Sequence, residues 1–335
     1  MNKYVYCEFG FLKEFLTSFP NPIENWEGAL SWKRMYNFLY YAYKYIDVPN
    51  SQLACEATKN KLLLQLIRNG NYNYDKCFPN LQEPSRIIFN KEKKNSIFLT
   101  SLNKKRRESI SSEYGIIVIG KDDIQKFAKQ YGKLHKAIGK NTHAKWSDFI
   151  PVYMKTANSL IILDNYILSD TMLIDENLIC ILNSLLPYTC TNEFSFPIYI
   201  YTYDACEDWK GRYDLINEKI KSIRPDLTFQ LSIFKVNKED FHDRNVITNN
   251  LYIECGSGFN LLSNETAKKT TNLRISYPFM NYEDGCDSEM EAYINTLSDI
   301  IAVDKRDHTY EIDYWGDINK ENDLIKFYKQ EFTKS

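Results

Sequence analysis

The chain has 335 residues, enough for two domains that each bury a core. Its 42 Lys and Arg against 44 Asp and Glu give a net charge of −2, which excludes a global pull toward nucleic acid and leaves that role to local basic patches. The eight Cys stand singly at 7, 55, 77, 180, 190, 206, 255 and 286 with no C-x-x-C pair, which argues against a zinc site and for free thiols in a reducing cytoplasm.

Tyr4-Val5-Tyr6-Cys7 reads as a short strand with Glu8 at its end, and Met1-Asn2-Lys3 before it is no apolar leader. Leu12 to Phe19 reads as a helix stopped by Pro20 and Pro22. Asn25 to Tyr45 carries Trp32, Met35, Tyr36, Leu39, Tyr40 and Tyr43 at helical spacing, the pattern of a core-facing helix. A second helix is expected over Leu53 to Ile67. The polar, proline-containing residues 70–95 read as a long loop. Ser96 to Thr100 is a strand, 104–113 a helix and Gly115 to Gly120 a buried strand. Lys104-Lys105-Arg106-Arg107 opens the helix, and Lys129, Lys133, Lys136, Lys140 and Lys145 recur further on; either run could track a phosphate backbone or form a solvated face.

The passage from Ile97 to Ile119, with Ser112-Glu113-Tyr114-Gly115-Ile116 inside it, resembles PIN-like ribonuclease domains. That resemblance implies a three-layer α/β fold and a cluster of carboxylates around Mg or Mn. Glu8, Glu56 and Asp122 are the acids at suitable places. Thr100 is followed by Ser101-Leu102-Asn103, with no Asp where the family has one, so a PIN-like fold without a full metal site stands beside the active reading.

Residues 138–150, with Gly139, Asn141 and then Pro151, read as the boundary, dividing the chain into 1–148 and 149–335. Beyond it, Leu160-Ile161-Ile162-Leu163 is a buried strand ending at Asp164. Asn177 to Leu186 is an apolar helix closed by Pro187. Strands over Phe196–Tyr203 and Phe229–Phe234 flank a helix over Asp214–Ile223. This β-α-β order implies an α/β sheet with right-handed crossovers. Helices at 288–303 and 317–332 flank it, with Tyr314 and Trp315 as packing residues. No window reaches the roughly 18 apolar residues that cross a bilayer.

The segment from Phe241 to Asn260 concentrates the chemistry. His242 and Arg244 lie two apart, so on a strand both face one way. Arg grips phosphate with a planar fork, His attacks phosphorus or shuttles a proton, and Gly256-Ser257-Gly258 lets a phosphate approach the backbone. The segment resembles the phospholipase D signature H-x-K-x4-D-x6-G-S-x-N. His242, Gly256 and Ser257 match, Arg244 replaces the Lys, Asn249 replaces the Asp, and Asn260 falls one residue late. Asn cannot ionise and Arg does not give up its proton, which implies a phosphodiesterase frame with weakened or lost catalysis.

A closer resemblance is to the phospholipase-D-like domain at the C-terminus of microtubule-interacting-and-trafficking proteins. It is carried by Leu163-Asp164-Asn165-Tyr166-Ile167, by Glu176-Asn177-Leu178, by His242-Asp243-Arg244-Asn245-Val246 and by the Gly256-Ser257-Gly258 turn, in that order. It implies a phosphate held by Arg244, Gly256, Ser257 and Gly258, with His242, Asn249 and Asn260 around it and Asp164, Tyr166 and Asp243 in support. That chemistry uses no cofactor. A catalytic form needs two such motifs, hence a homodimer. Bacterial relatives imply a nuclease-like effector or nucleic-acid-sensing module in anti-phage defence, partnered by nucleic acid and a neighbouring defence protein. The alternative is a non-catalytic binding or assembly module on degenerate nuclease folds, or one that binds anionic lipid.

Overall fold

The structure, a computed structural model, describes residues 4–75, 78–84, 87, 96–129, 134–150, 157–188, 195–203, 208–236, 244–276 and 314–316. It is a mixed α/β protein with one all-parallel sheet and one mixed sheet. Its contacts gather into two compact units that meet in sequence between Gly132 and Lys133.

The first unit opens with β1 (Val5–Cys7), α1 (Phe9–Thr17), α2 (Trp26–Tyr41) and β2 (Lys44–Ile46). It continues through α3 (Asn50–Ala57), α4 (Lys61–Arg68), β3 (Tyr72–Tyr74), β4 (Ile97–Leu99), α5 (Lys104–Tyr114), β5 (Ile117–Ile119) and α6 (Ile124–Lys129). The five short strands are all parallel, in the order β3-β2-β1-β4-β5. The neighbouring strands β1, β4 and β5 are buried throughout and read as unbroken apolar runs such as Ile97-Phe98-Leu99, whereas β3 at the edge is half-exposed. One row across the sheet, Tyr45, Tyr6 and Phe98, stacks ring on ring at 5.0 and 5.3 Å.

Two helix expectations fail in this unit, and the loop expected over 70–95 carries the strand β3. The helix over Asn25 to Tyr45 ends at Tyr41, and Lys44–Ile46 becomes a strand because β1 and β3 pair with it from either side. Pairing from both sides outweighs the helical spacing of Tyr40 and Tyr43. The helix over Leu53 to Ile67 is two helices, because Asn60 turns out of the first and caps the second, accepting from the Leu62 and Leu63 N–H groups at 3.0 and 3.1 Å.

Lys44 is buried in this core. Its ammonium donates to the carbonyls of Leu39 and Ala42 at 2.6 and 2.8 Å, satisfying the C-terminal end of α2. Burial pulls its pKa down to about 8, while Cys7 beside it pulls the other way.

The second unit contains β6 (Leu134–Ile138), α7 (Trp146–Phe149), β7 (Leu160–Leu163), α8 (Thr171–Leu173) and α9 (Cys180–Leu185), with a π-helical stretch at Ile174–Ile179 joining α8 to α9. There follow β8 (Phe196–Thr202), α10 (Trp209–Ile223), β9 (Phe229–Lys235), β10 (Asn245–Thr248), β11 (Tyr252–Cys255), the small hairpin β12–β13 (Leu262–Ser263, Thr266–Ala267), β14 (Thr271–Ser276) and β15 (Tyr314–Gly316). Eight strands line up as β15-β9-β8-β7-β10-β11-β14-β6, with β7, β8 and β9 parallel and the others antiparallel to their neighbours. β6 falls inside the lysine run read as helix or solvated face, because its backbone completes the ladder on β14. The helices expected at 288–303 and 317–332 lie outside the described residues, as does the packing of the Tyr314 and Trp315 side chains. No helix among the described residues is long and apolar enough to cross a membrane.

Candidate functional site

In the first unit, the chain leaves β1 toward β2 and β3 on one side and reaches β4 and β5 on the other. Open parallel sheets hold their ligands at such a reversal, beyond the carboxyl ends of the strands. Glu8 follows β1 and Thr100 follows β4 at that edge. Glu8 accepts from the Thr100 hydroxyl at 2.7 Å and from the Ser101 N–H at 2.8 Å, so both its oxygens are engaged. Asp47, after β2, accepts from the first N–H of α1, Phe9, at 2.7 Å. A cleft of about 460 Å³ opens here, lined by Glu14, Thr100, Ser101, Arg107, Lys121 and Asp122 among others.

Arg107 governs the charge in this cleft. Its side chain is 4% exposed. Nε donates to Asp123 Oδ2 at 2.8 Å, Nη2 to Asp122, and Nη1 to the Leu102 carbonyl. The same Asp123 oxygen accepts from the Gly120 N–H at 2.9 Å. Gly120 makes room for the guanidinium: a Cβ there would stand 2.6 Å from Arg107 Nε. Lys121 reaches across the cleft to Glu14 at 2.9 Å, but this pair is about half-exposed.

The three acids named from sequence do not assemble as a metal centre. Glu8 is bonded to the β4 loop and Asp122 to Arg107. Glu56 sits on α3 between Lys13 and Lys59, at 3.2 and 3.0 Å, and hydrogen bonds from Lys59 first, then Lys13, hold its carboxyl below the usual range. No three His, Cys, Asp or Glu among the described residues form a group that could hold a metal. Of the acids at this edge, Asp122 and Asp123 are already neutralised by the Arg107 guanidinium and Glu14 is paired with Lys121, which leaves Glu8 paired with no cation among the described residues.

In the second unit, Asp164 ends β7 and is buried. Oδ1 accepts from the Tyr166 N–H at 2.8 Å, the turn an Asp favours after a strand, and Oδ2 accepts from the Phe259 N–H at 2.6 Å. Burial raises its pKa; the two N–H groups, and less directly Arg244 and Lys269, oppose the rise. Gly258 has φ +86°, and a Cβ there would lie 3.1 Å from Asp164 Oδ2, so the close approach and the left-handed backbone both require glycine.

Arg244 is half-buried and donates to the Gly256 carbonyl at 3.0 Å, while its buried Nε has no hydrogen-bond partner among the described residues. Among the described residues no carboxylate lies within ion-pair distance of it. Lys269 donates to the Ser257 carbonyl, so two cations grip one turn. Asn260 donates to the Tyr166 carbonyl at 2.6 Å. Asp164, Tyr166, Arg244, Gly256, Ser257, Gly258 and Asn260 are thus brought to one end of the sheet. Asn249 is not among them. It lies beyond the far end of β10, five residues or about 16 Å along a strand from Arg244. There it accepts from the Asn158 N–H at 2.9 Å and fixes a turn. His242 and Asp243 lie outside the described residues.

The residue that organises this end was visible only as a motif letter. Asn177, fully buried on the π-helical stretch, accepts from Leu262 N–H at 2.8 Å and Trp146 Nε1 at 3.1 Å. It also donates to the carbonyls of Leu262 and Leu173 at 2.9 and 3.2 Å. Its amide completes the backbone pairing of Leu262 as a neighbouring strand would. Of the eight cysteines, Cys7, Cys55, Cys180 and Cys255 are free. Cys77, Cys190, Cys206 and Cys286 lie outside the described residues.

No family model matches the chain, and no curated protein matches it.

Proposed function

We infer that this chain is a phosphodiester-handling protein that binds its ligand rather than cutting it with metal ions. The reading rests on one observation: at the carboxyl edge of the parallel sheet, the guanidinium of Arg107 occupies the charge-neutralising position between Asp122 and Asp123. A binding role is supported by the basic first turn of α5, Lys104-Lys105-Arg106, immediately after the cleft-lining residues Thr100, Ser101 and Leu102. Donor groups and the helix dipole at that point favour phosphate oxygens. In the second unit, the Arg244 Nε beside the 256–258 turn, without a partner among the described residues, offers a further donor. With the sequence resemblances, this describes a nucleic-acid-sensing module on nuclease-like folds in bacterial defence, acting as a homo-oligomer beside a neighbouring defence protein.

The test is a labelled single-stranded oligonucleotide incubated with the protein in Mg²⁺, in Mn²⁺ and in EDTA. Anisotropy should report binding that weakens with salt by roughly 0.7 log units per decade for each phosphate contacted, with the strand intact in all three buffers. Metal-dependent cleavage abolished in Glu8→Ala would restore the PIN-like nuclease reading. Cleavage in EDTA abolished in His242→Ala would restore the phospholipase D reading.

A further inference from the structure

The ion pairs lining the first unit's cleft are of two kinds. Arg107 is buried and shared between Asp122 and Asp123, so it is a fixed part of the fold. Glu14 and Lys121 are also paired, at 2.9 Å, yet both are about half-exposed. They come from different elements: Glu14 from α1, Lys121 from the turn between β5 and α6. Both line the same cleft. An exposed pair of this kind contributes only about 0.2–1 kcal/mol, so it exchanges readily for another partner. The fold does not need it, and Lys121 lines the same cleft as Thr100 and Ser101 at the sheet's carboxyl edge.

We propose that the Glu14–Lys121 pair is a latch on this cleft: a phosphate oxygen of the ligand takes Lys121 from Glu14, and Glu14 thereby sets the affinity. The proposal rests on the phosphodiester reading above and adds which side chain receives the phosphate and which one competes for it. Glu14 acts here only through Lys121. Merely lowering the negative charge near the cleft would help any anion; the latch requires that Glu14 lose its effect once Lys121 is gone.

The experiment is fluorescence anisotropy of labelled ten-nucleotide oligo-dT, with and without a 5′-phosphate, on the full chain and on Glu14→Gln, Lys121→Gln and the double variant. All four proteins should share a melting temperature, because both side chains lie at the surface. Glu14→Gln should tighten binding by up to about fivefold, the factor that releasing an exposed ion pair provides. Lys121→Gln should weaken it by about tenfold, the scale of one charged hydrogen bond. The double variant should match Lys121→Gln. A response confined to the 5′-phosphorylated strand places a terminal phosphate in the cleft; an equal response with both strands places an internal diester there. If Glu14→Gln leaves binding unchanged, or tightens it equally without Lys121, the latch is wrong while the phosphodiester reading stands. If none of the four binds either strand, both fall.

Discussion

Replacing Arg107 and Gly120, singly and together, tests whether the buried guanidinium is built into the first unit. Arg107→Ala leaves Asp123, 12% exposed, without its cation and the Leu102 carbonyl without its donor. Removing one partner of a buried pair costs about 3–5 kcal/mol. Asp122 is 54% exposed and can turn to water, so the lower end of that range is expected. Gly120→Ala adds only a methyl group. The backbone there, at φ −105° and ψ 177°, is extended and accepts alanine without strain. The new Cβ would nevertheless overlap the guanidinium and force it from its seat. Gly120→Ala should therefore also cost about 3 kcal/mol. In the Arg107→Ala background the methyl group enters vacated space, and the substitution should be neutral or gain a few tenths of a kcal/mol. The cycle then has a coupling energy of about 3 kcal/mol, far above the ~0.5 kcal/mol scatter of independent sites. Because the chain has two units, local stability is best read from urea-dependent hydrogen exchange of the β4 and β5 amides. Additive single costs would show that Arg107 is not held in this seat, and the argument against a metal ion there would fail with it.

Lys44 should make the first unit more stable as pH rises from about 8 to 10.5. In that window the unfolded chain keeps a proton that the folded chain has released; below it the burial penalty is present in full. Relative to Lys44→Met, the wild type should gain about 3 kcal/mol across the window, and a flat difference in urea midpoints would contradict the burial of the amine. Arg244→Ala should cost about 1 kcal/mol, the value of the bond to the Gly256 carbonyl, its one bond among the described residues, rather than the 3–5 kcal/mol of a broken buried pair. A larger loss in thermal unfolding would mean that a carboxylate holds it. Asn177→Leu should cost more than about 4 kcal/mol, because it strips partners from Leu262 N–H, Leu262 C=O and Trp146 Nε1 at once. A near-native melting temperature would show that those groups find other partners.

What could be read from the sequence depended on whether the signal was local. The strands Ile97–Leu99 and Leu160–Leu163 are apolar runs bounded by polar residues, and Phe229–Lys235 alternates apolar with polar residues over its first half; each forms where its composition indicates. Lys44–Ile46 and Leu134–Ile138 carry no such signal, and only their partners make them strands. The same division holds for the sites. Asp164 and the 256–258 turn meet because a β7 end and a β11 end are neighbours through β10. Asn249 was misplaced for an equally physical reason. A signature read as a linear string takes five residues to be close, whereas a strand carries its two ends about 16 Å apart.

Arg107 shows the limit most clearly. In the sequence it is the fourth letter of a basic run, Lys104-Lys105-Arg106-Arg107, and such runs are read as a whole. On a helix, however, successive residues turn by about 100°, so a run of four cannot share one environment. Lys104 and Lys105 face solvent while Arg107 points into the unit. Its destination was encoded elsewhere, in a glycine at 120 with no side chain to obstruct it and acids at 122 and 123 to receive it. Neither Gly120 nor Asp123 carries a periodic or compositional signal, and Asp122 alone reads as a metal ligand. Their common meaning appears only when β4 and β5 pair and bring residue 107 over residue 120. A site whose charge is balanced by the chain's own cation thus looks, in sequence, like a metal site with its acids incomplete, and the distinguishing residue lies in the segment that sequence reading assigns to the surface.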